Sequence, residues 1–177
     1  MSSMPLTAGD VTVLAGISQL MLNGKNLAVE YRTGRFTWEY SHGWGLDYHA
    51  LDGAGLTSAE KSQNLKLSSP YTTGFGMGYL LTDNVDVRLE FKQHAYDAQH
   101  PAGGKVDYIT RSVGVGLFYR YQVTEHFIIN PSIRYWPNVY SSLDNDQYEF
   151  DAGDGSTDIH KAKDLGVFAN VSVGYLF

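Results

Sequence analysis

One stretch, residues 85–94, constrains this chain more than any other. Val85, Val87, Leu89 and Phe91 alternate with Asp86, Arg88, Glu90, Lys92 and His94. Neighbouring side chains of an extended strand point to opposite faces, so this is a strand with one apolar and one charged face. The period returns at 112–123, where Val113, Val115, Leu117, Tyr119, Tyr121 and Val123 oppose Ser112, Gly114, Gly116, Phe118, Arg120 and Gln122. It also closes the chain: every odd residue of 165–177 is apolar, and the even ones are mostly small or polar.

Two further segments follow the rule. At 67–81, Tyr71, Phe75, Met77, Tyr79 and Leu81, with Thr73 among them, oppose Gly74, Gly76 and Gly78. At 127–136, Phe127, Ile129, Pro131, Ile133 and Tyr135 oppose Asn130, Ser132, Arg134 and Trp136. Pro131 cannot donate to a ladder, so a bulge or local break is expected there.

The first third is harder to parse. A strand is expected over about 10–21, with Val11, Val13, Ala15 and Ile17 on one face, followed by a turn at Asn23-Gly24-Lys25. Leu27, Val29 and Tyr31 are odd, whereas Phe36, Trp38 and Tyr40 are even. A two-residue hairpin at Thr33-Gly34 would pair Tyr31 with Phe36, Val29 with Trp38 and Leu27 with Tyr40. A bulge in one long strand is the alternative. With the hairpin there are eight strands. Short turns at Thr33-Gly34, Thr82-Asp83-Asn84 and Thr124-Glu125-His126 then lie at one end. Long polar loops at 49–64, 97–105 and 141–158 lie at the other, the layout of an outer-membrane barrel.

A barrel can be apolar inside, as in a soluble ligand carrier, or apolar outside, as in a membrane. Here the apolar face carries Trp38, Phe75, Tyr79, Phe91, Tyr119, Phe127 and Tyr135, while the other face is rich in Gly, Ser and Asn. Eight strands leave room inside only for packed side chains, so the bulky set fits outside. The apolar faces also give way to polar residues at a matched height: Gln19, His42 and Gln93 on strands leaving the short-turn end, and Lys25, Arg111 and Lys163 on strands approaching it. The resulting apolar band is about 25 Å tall. No run approaches the roughly 18 apolar residues of a membrane helix, a limit that alternating strands escape. The formal net charge of -6 disfavours nucleic acid as a partner.

The expected fold is therefore all-β: a closed, antiparallel, up-and-down transmembrane β-barrel of about eight strands. It forms one domain over 1–177 after an irregular lead-in at 1–9. The phrase Gly78-Tyr79-Leu80-Leu81-Thr82-Asp83-Asn84-Val85 resembles the strand–turn–strand unit of the small OmpA-like and opacity-type outer-membrane barrels. Val113-Gly114-Val115-Gly116-Leu117 with Val123-Thr124-Glu125-His126-Phe127 repeats it, and Val173-Gly174-Tyr175-Leu176-Phe177 resembles the family ending. The resemblance implies a monomer in the outer membrane of a Gram-negative bacterium, among outer-membrane lipid and lipopolysaccharide. It also implies that the barrel-assembly machinery recognises the last strand through Phe177. Met1-Ser2-Ser3-Met4 has neither a basic start nor an apolar core, so a mature segment with its secretory signal removed is expected.

The inward face collects Glu30, Arg32, Arg35, Glu39, Asp86, Arg88, Glu90, Lys92, Arg120 and Arg134. These residues form either a packed polar network that fills the barrel or the lining of a narrow ion path. Lys25, Arg111, Lys161 and Lys163 are candidates for lipopolysaccharide phosphates at the outer boundary, or cations that only snorkel there. Ser41-His42 with Glu39 suggests a hydrolase, but adjacent strand residues face opposite sides, so no Ser–His bond is expected. Glu90, His94 and Tyr96 form a second, equally weak set. The acidic run at 144–158 lacks EF-hand spacing, since Tyr148 takes a ligand position. No catalytic residue, cofactor or metal is assigned. The expected function is a structural or surface-exposed barrel with recognition through its long loops. The alternatives are a lipid-modifying enzyme or narrow transporter on the same scaffold, and a soluble lipocalin-like carrier.

Overall fold

The computed structural model describes residues 9–53 and 55–177. The lead-in expected at 1–9 lies outside the described residues apart from Gly9. Eight antiparallel strands form the wall: β1 Asp10–Gly16, β2 Lys25–Thr33, β3 Phe36–Asp47, β4 Lys66–Leu80, β5 Val85–Gln99, β6 Lys105–Tyr119 (resumed at Tyr121–Gln122), β7 Phe127–Trp136 (resumed at Asn138–Ser141) and β8 Gly166–Leu176. Each pairs with its sequence neighbours, and β8 pairs with β1, which closes the ring. Val13 faces Tyr175 across that closure, and the Phe177 N–H donates to Val11 O at 3.0 Å.

The first third differs from expectation in two places. β1 ends at Gly16, and Ser18–Leu22 is a 3-10 turn closed by Asn23 in the left-handed region. The hairpin between β2 and β3 turns at Gly34-Arg35, one residue later than expected, and the pairs become Thr33↔Phe36, Tyr31↔Trp38, Val29↔Tyr40 and Leu27↔His42. Gly34 has φ +57°, a conformation that glycine adopts without penalty and that the first central position of a tight hairpin requires. The apolar residues still share one face, so the shift leaves the pattern intact and moves Arg35 out of the barrel into an exposed turn.

The loop end holds more structure than a polar composition suggests. β5 and β6 continue until only residues 100–104 separate them. Residues 141–158 are not a free loop: Gln147–Asp151 and Thr157–Lys161 form a hairpin beside the barrel mouth. Outward Asp97, Gln99 and Asp107 made these segments look like loops, while inward Tyr96, Ala98 and Tyr108 carry the strand pattern on.

Two irregularities have local chemical causes. Opposite Pro131 the β6–β7 ladder breaks between Phe118↔Ser132 and Tyr121↔Ile129, because the proline has no N–H to give. The Asn130 side-chain amide donates to Tyr119 O at 3.3 Å, supplying a donor at the gap. In β3 and β4, Gly45 (φ +70°) stands opposite Pro70, between the in-register pairs Trp44↔Tyr71 and Leu46↔Ser69. Each strand has an extra outward residue at that height. Above it, Leu46 and Leu67 point inward where the glycine-rich face did below.

Candidate functional site

The lower interior is a charge network, and the sequence periodicity explains who is in it. Inward positions of β2, β3, β5, β6 and β7 bring Glu30, Arg32, Glu39, Asp86, Arg88, Glu90, Lys92, Arg120 and Arg134 into one buried space. Arg88 is its centre. Its guanidinium donates to Glu30 at 2.5 Å and Glu39 at 2.6 Å, contacts Asp86, and lies 3.8 Å over the Phe118 ring. Arg32 joins Glu30 at 3.0 Å and Asp86 at 3.2 Å, and Arg120 reaches Glu30. Lys92 lies 3.4 Å from both Glu39 and Glu90 and donates to Ser41 Oγ at 2.6 Å. Arg134 is 3.4 Å from Glu90, which also accepts from Trp136 Nε1 at 2.9 Å.

Nine of the ten charged residues expected on the inward face thus meet inside, and Arg35, in its exposed turn, does not. Each of the nine is paired with an opposite charge, which is the condition under which buried charges are tolerated, and only Arg120 Nε is left without an acceptor among these groups. Small residues make the room. A Cβ on Gly78 would sit 2.8 Å from Arg88 Cγ, and one on Gly116 would sit 2.6 Å from the Phe118 ring.

The outer face is the reverse. Val13, Val29, Trp38, Phe75, Phe91, Leu117, Ile133 and Tyr175 are all exposed, and Tyr71, Val85, Val113 and Val173, at outward positions of the same strands, are half-buried. A continuous apolar belt of this extent on a soluble carrier would be left facing water, so the lipocalin-like alternative is overturned.

A polar row marks the upper edge of the belt. His42, Thr73, Gln93, Arg111 and Tyr140 are cross-strand register partners on β3, β4, β5, β6 and the continuation of β7. Arg111 Nε donates to Gln93 Oε1 at 3.2 Å and its guanidinium stacks on Tyr140, while His42 stacks on Trp44 and Tyr71. An aromatic and polar row at the edge of an apolar band is a membrane-boundary girdle. Ser41 faces the interior and His42 the exterior, as their adjacency requires, so the hydrolase pairing is not formed.

Above the row the inside becomes apolar. Leu46, Tyr48, Leu65, Leu67, Tyr96, Ala98, Tyr108 and Phe150 form a core of the kind found in soluble domains. The short helix Ser58–Ser62 seals one side. Thr57 and Glu60 cap it reciprocally, and Glu60 also holds Lys163 at 3.0 Å. Lys163 is buried, donates to Gly55 O at 2.5 Å and lies over the Tyr48 ring. It therefore does not belong with the outer-boundary cations, since burial beside Glu60 takes it away from any lipid phosphate. Lys25, Arg111 and Lys161 are exposed. Sequence reasoning missed this upper core. Its signal was the continued inward parity of Tyr96, Ala98 and Tyr108. Burial holds the pKa of His160, which meets Tyr108 OH at 3.0 Å, below the usual histidine range; Glu60 opposes that shift and Lys163 adds to it. Among the described residues no three His, Cys, Asp or Glu side chains gather to hold a metal.

No family model matches the chain, and no curated protein matches it. Several solved structures are similar in fold. A major outer membrane protein from Thermus thermophilus is 16% identical, with a TM-score of 0.51 over 96% of this chain and 100% of that one. Neisserial surface protein A is 13% identical at a TM-score of 0.49, covering 96% and 94%. The attachment invasion locus protein of Yersinia pestis is 11% identical at 0.48, covering 97% and 100%. With its closed ring, exterior apolar belt and charged interior, the chain has the fold of the small eight-stranded outer-membrane β-barrels.

Proposed function

We propose that this protein is an integral outer-membrane barrel whose lower half is a filled, non-conducting anchor and whose upper half presents a structured cap at the cell surface. The observation that carries this reading is the exchange of polarity at one height. Below the row of His42, Gln93 and Arg111 the exterior is apolar and the interior ionic; above it the interior gathers Leu46, Tyr96, Ala98 and Tyr108, and the exterior, after one more apolar step at Trp44, Tyr71 and Ile109, turns to Asp97, Gln99 and Asp107. A chain that anchors in lipid and folds in water needs both patterns, stacked. Recognition would then use the cap: the segment 48–65, the hairpin of Gln147–Asp151 and Thr157–Lys161, and the turn 100–104.

Arg111 and Lys25 lie near the boundary, where guanidinium and ammonium groups can hold lipopolysaccharide phosphates, with Lys161 higher on the hairpin. The last strand, ending in Phe177, is the element that the barrel-assembly machinery would engage. Planar-bilayer recording tests the anchor. The wild-type protein is expected to give no steady current, because Arg88, Arg120 and their carboxylates occupy the lumen. Steady flux that Arg120→Glu blocks would overturn the filled-anchor reading. Release of acyl chains from purified lipopolysaccharide would favour a lipid-modifying enzyme instead.

A further inference from the structure

The wall is not closed to the same height all round. β1 has seven residues and β8 eleven. Their ladder runs from Thr12↔Leu176 to Gly16↔Ser172, and two bonds end it, from Ile17 N–H to Val171 O at 2.8 Å and from Val171 N–H to Ser18 Oγ at 3.0 Å. β8 continues past this point to Gly166, paired on its far side with β7 as far as Gly166↔Trp136. From the bond at Val11 to the bond at Ile17 the seam is laddered over roughly 20 Å of strand, against the roughly 9–11 tilted residues, about 30 Å or more of strand, that cross an apolar band. The 3-10 turn Ser18–Leu22 faces the remainder, and Val167, outward at this level, is 70% exposed.

Behind this seam lies a cavity of about 380 Å³, within the size range of small-molecule sites. Leu22, Trp136 and Phe168 give it an apolar side; Gln19, Asn170 and Arg134 give it a polar one. Asn170 is 3% exposed. Its Nδ2 donates to Ser172 Oγ at 3.1 Å, and its Oδ1 has no partner. Gln19 Oε1 is likewise buried without a donor. Both residues line the cavity, and Asn170, almost wholly buried there, leaves an amide oxygen that calls for a donor. The cations at its edge already have counter-ions, Arg134 in Glu90 and Lys163 in Glu60, so a charged guest would bring an uncompensated charge into the barrel. A hydroxyl suits the site better, because it is neutral and can serve either end of an amide.

We propose that this cavity binds a neutral single-chain lipid with a hydroxyl-bearing head, of the monoacylglycerol kind, admitted from the surrounding leaflet through the gap between β1 and β8. The head hydroxyls meet Asn170 and Gln19. The chain lies along Phe168 and Trp136 and leaves past Val167. The proposal rests on the barrel residing in a bilayer, and the three tryptophans allow the two ideas to be tested apart. Trp38 and Trp44 are exposed on the outer face, whereas Trp136 is buried inside.

In a Trp136→Phe variant, quenching of Trp38 and Trp44 by brominated phospholipid reports insertion. In a Trp38→Phe, Trp44→Phe variant, only Trp136 remains to report on the cavity. Titration of the second variant with brominated monoacylglycerol in unbrominated vesicles is expected to quench Trp136 saturably. Asn170→Leu should raise the half-quenching concentration about three- to tenfold, and a phosphate-headed single-chain lipid should compete poorly. Gln19→Leu, on an outer turn, serves if Asn170→Leu does not fold. Trp38 and Trp44 quenched while Trp136 stays bright, or dims only in proportion to bulk lipid, would mean a water-filled void and overturn the proposal. Equal competition by the phosphate-headed lipid would overturn the neutral-head assignment. Failure to quench Trp38 and Trp44 would remove the bilayer reading, and this proposal with it.

Discussion

The two storeys of this barrel share strands but use opposite chemistry. In the lower storey β5 sends Asp86, Arg88, Glu90 and Lys92 inward and Val87, Leu89 and Phe91 outward; in the upper storey the same strand sends Tyr96 and Ala98 inward and Asp97 and Gln99 outward. No register shift separates the two along β5 and β6, which pair without interruption from Val85↔Tyr119 to Gln99↔Lys105. The backbone does not care which face is greasy. What changes is the solvent on the outside, and the side chains follow it. In lipid, packing outward is almost free, and specificity must come from polar contacts within. In water, the drive is the removal of apolar surface, and the core returns to the inside.

This difference makes the storeys fail differently. The largest effect is expected below. Arg88→Ala leaves Glu30, Glu39 and Asp86 buried around an empty centre and should cost about 3–5 kcal/mol in urea unfolding of the bilayer-inserted protein. It should weaken the whole barrel, because those carboxylates come from three strands. Above, Leu67→Ala removes apolar contacts from a core that one hairpin and one short helix complete. It should cost about 2–3 kcal/mol, registered mainly as faster hydrogen exchange and proteolysis at 48–65 and 147–161, with the lower barrel intact. If Leu67→Ala loosened the lower storey as much as Arg88→Ala does, the division would be wrong.

Tyr108→Phe probes the cap's polar seam. It deletes the hydroxyl that meets His160 Nε2 and accepts from the Lys163 N–H at 3.2 Å, and about 1 kcal/mol is expected, confined to the cap. The smallest effect is that of pH. His160 is held neutral by burial, its folded pKa lying below the ordinary 6.5. The unfolded state therefore takes up the proton first. The stability from this site is complete above about pH 6.5 and is lost as the pH falls through the folded value. Protection factors at 147–161, which correct for the intrinsic slowing of exchange in acid, should fall on acidification, and His160→Gln should flatten that response. A cap that tightens in acid would contradict the sign.

The alternation at 85–94 was enough to place the lower storey, because period two survives any small error in turn position. The hairpin shows this: moving its turn from Thr33-Gly34 to Gly34-Arg35 changed every partner by two and no residue's face except that of Arg35. The upper storey was hidden for the converse reason. Its outward residues are polar, like those of any loop. Its inward apolar residues are spread over β3, β4, β5, β6 and the hairpin, and only tertiary packing gathers Tyr48, Leu67, Tyr96, Tyr108 and Phe150. Lys163 was misplaced by the same blindness, since nothing local indicates that Glu60, 103 positions away, waits for it. The gap beside β8 was equally invisible, for it arises where a 3-10 turn cuts β1 short.

The exchange of polarity at one height can be read along β5 alone. Nitroxide labels placed singly at 85–99 in bilayer-inserted protein report collisions with oxygen, which concentrates in lipid, and with a water-soluble nickel chelate. Labels at 85, 87, 89 and 91 are expected to favour oxygen, labels at 95, 97 and 99 to favour nickel, with the crossover at Gln93, and even positions to be shielded from both. Nickel access at 85–91, or oxygen preference persisting to 99, would contradict the stacked arrangement of a lipid-facing anchor under a water-facing cap.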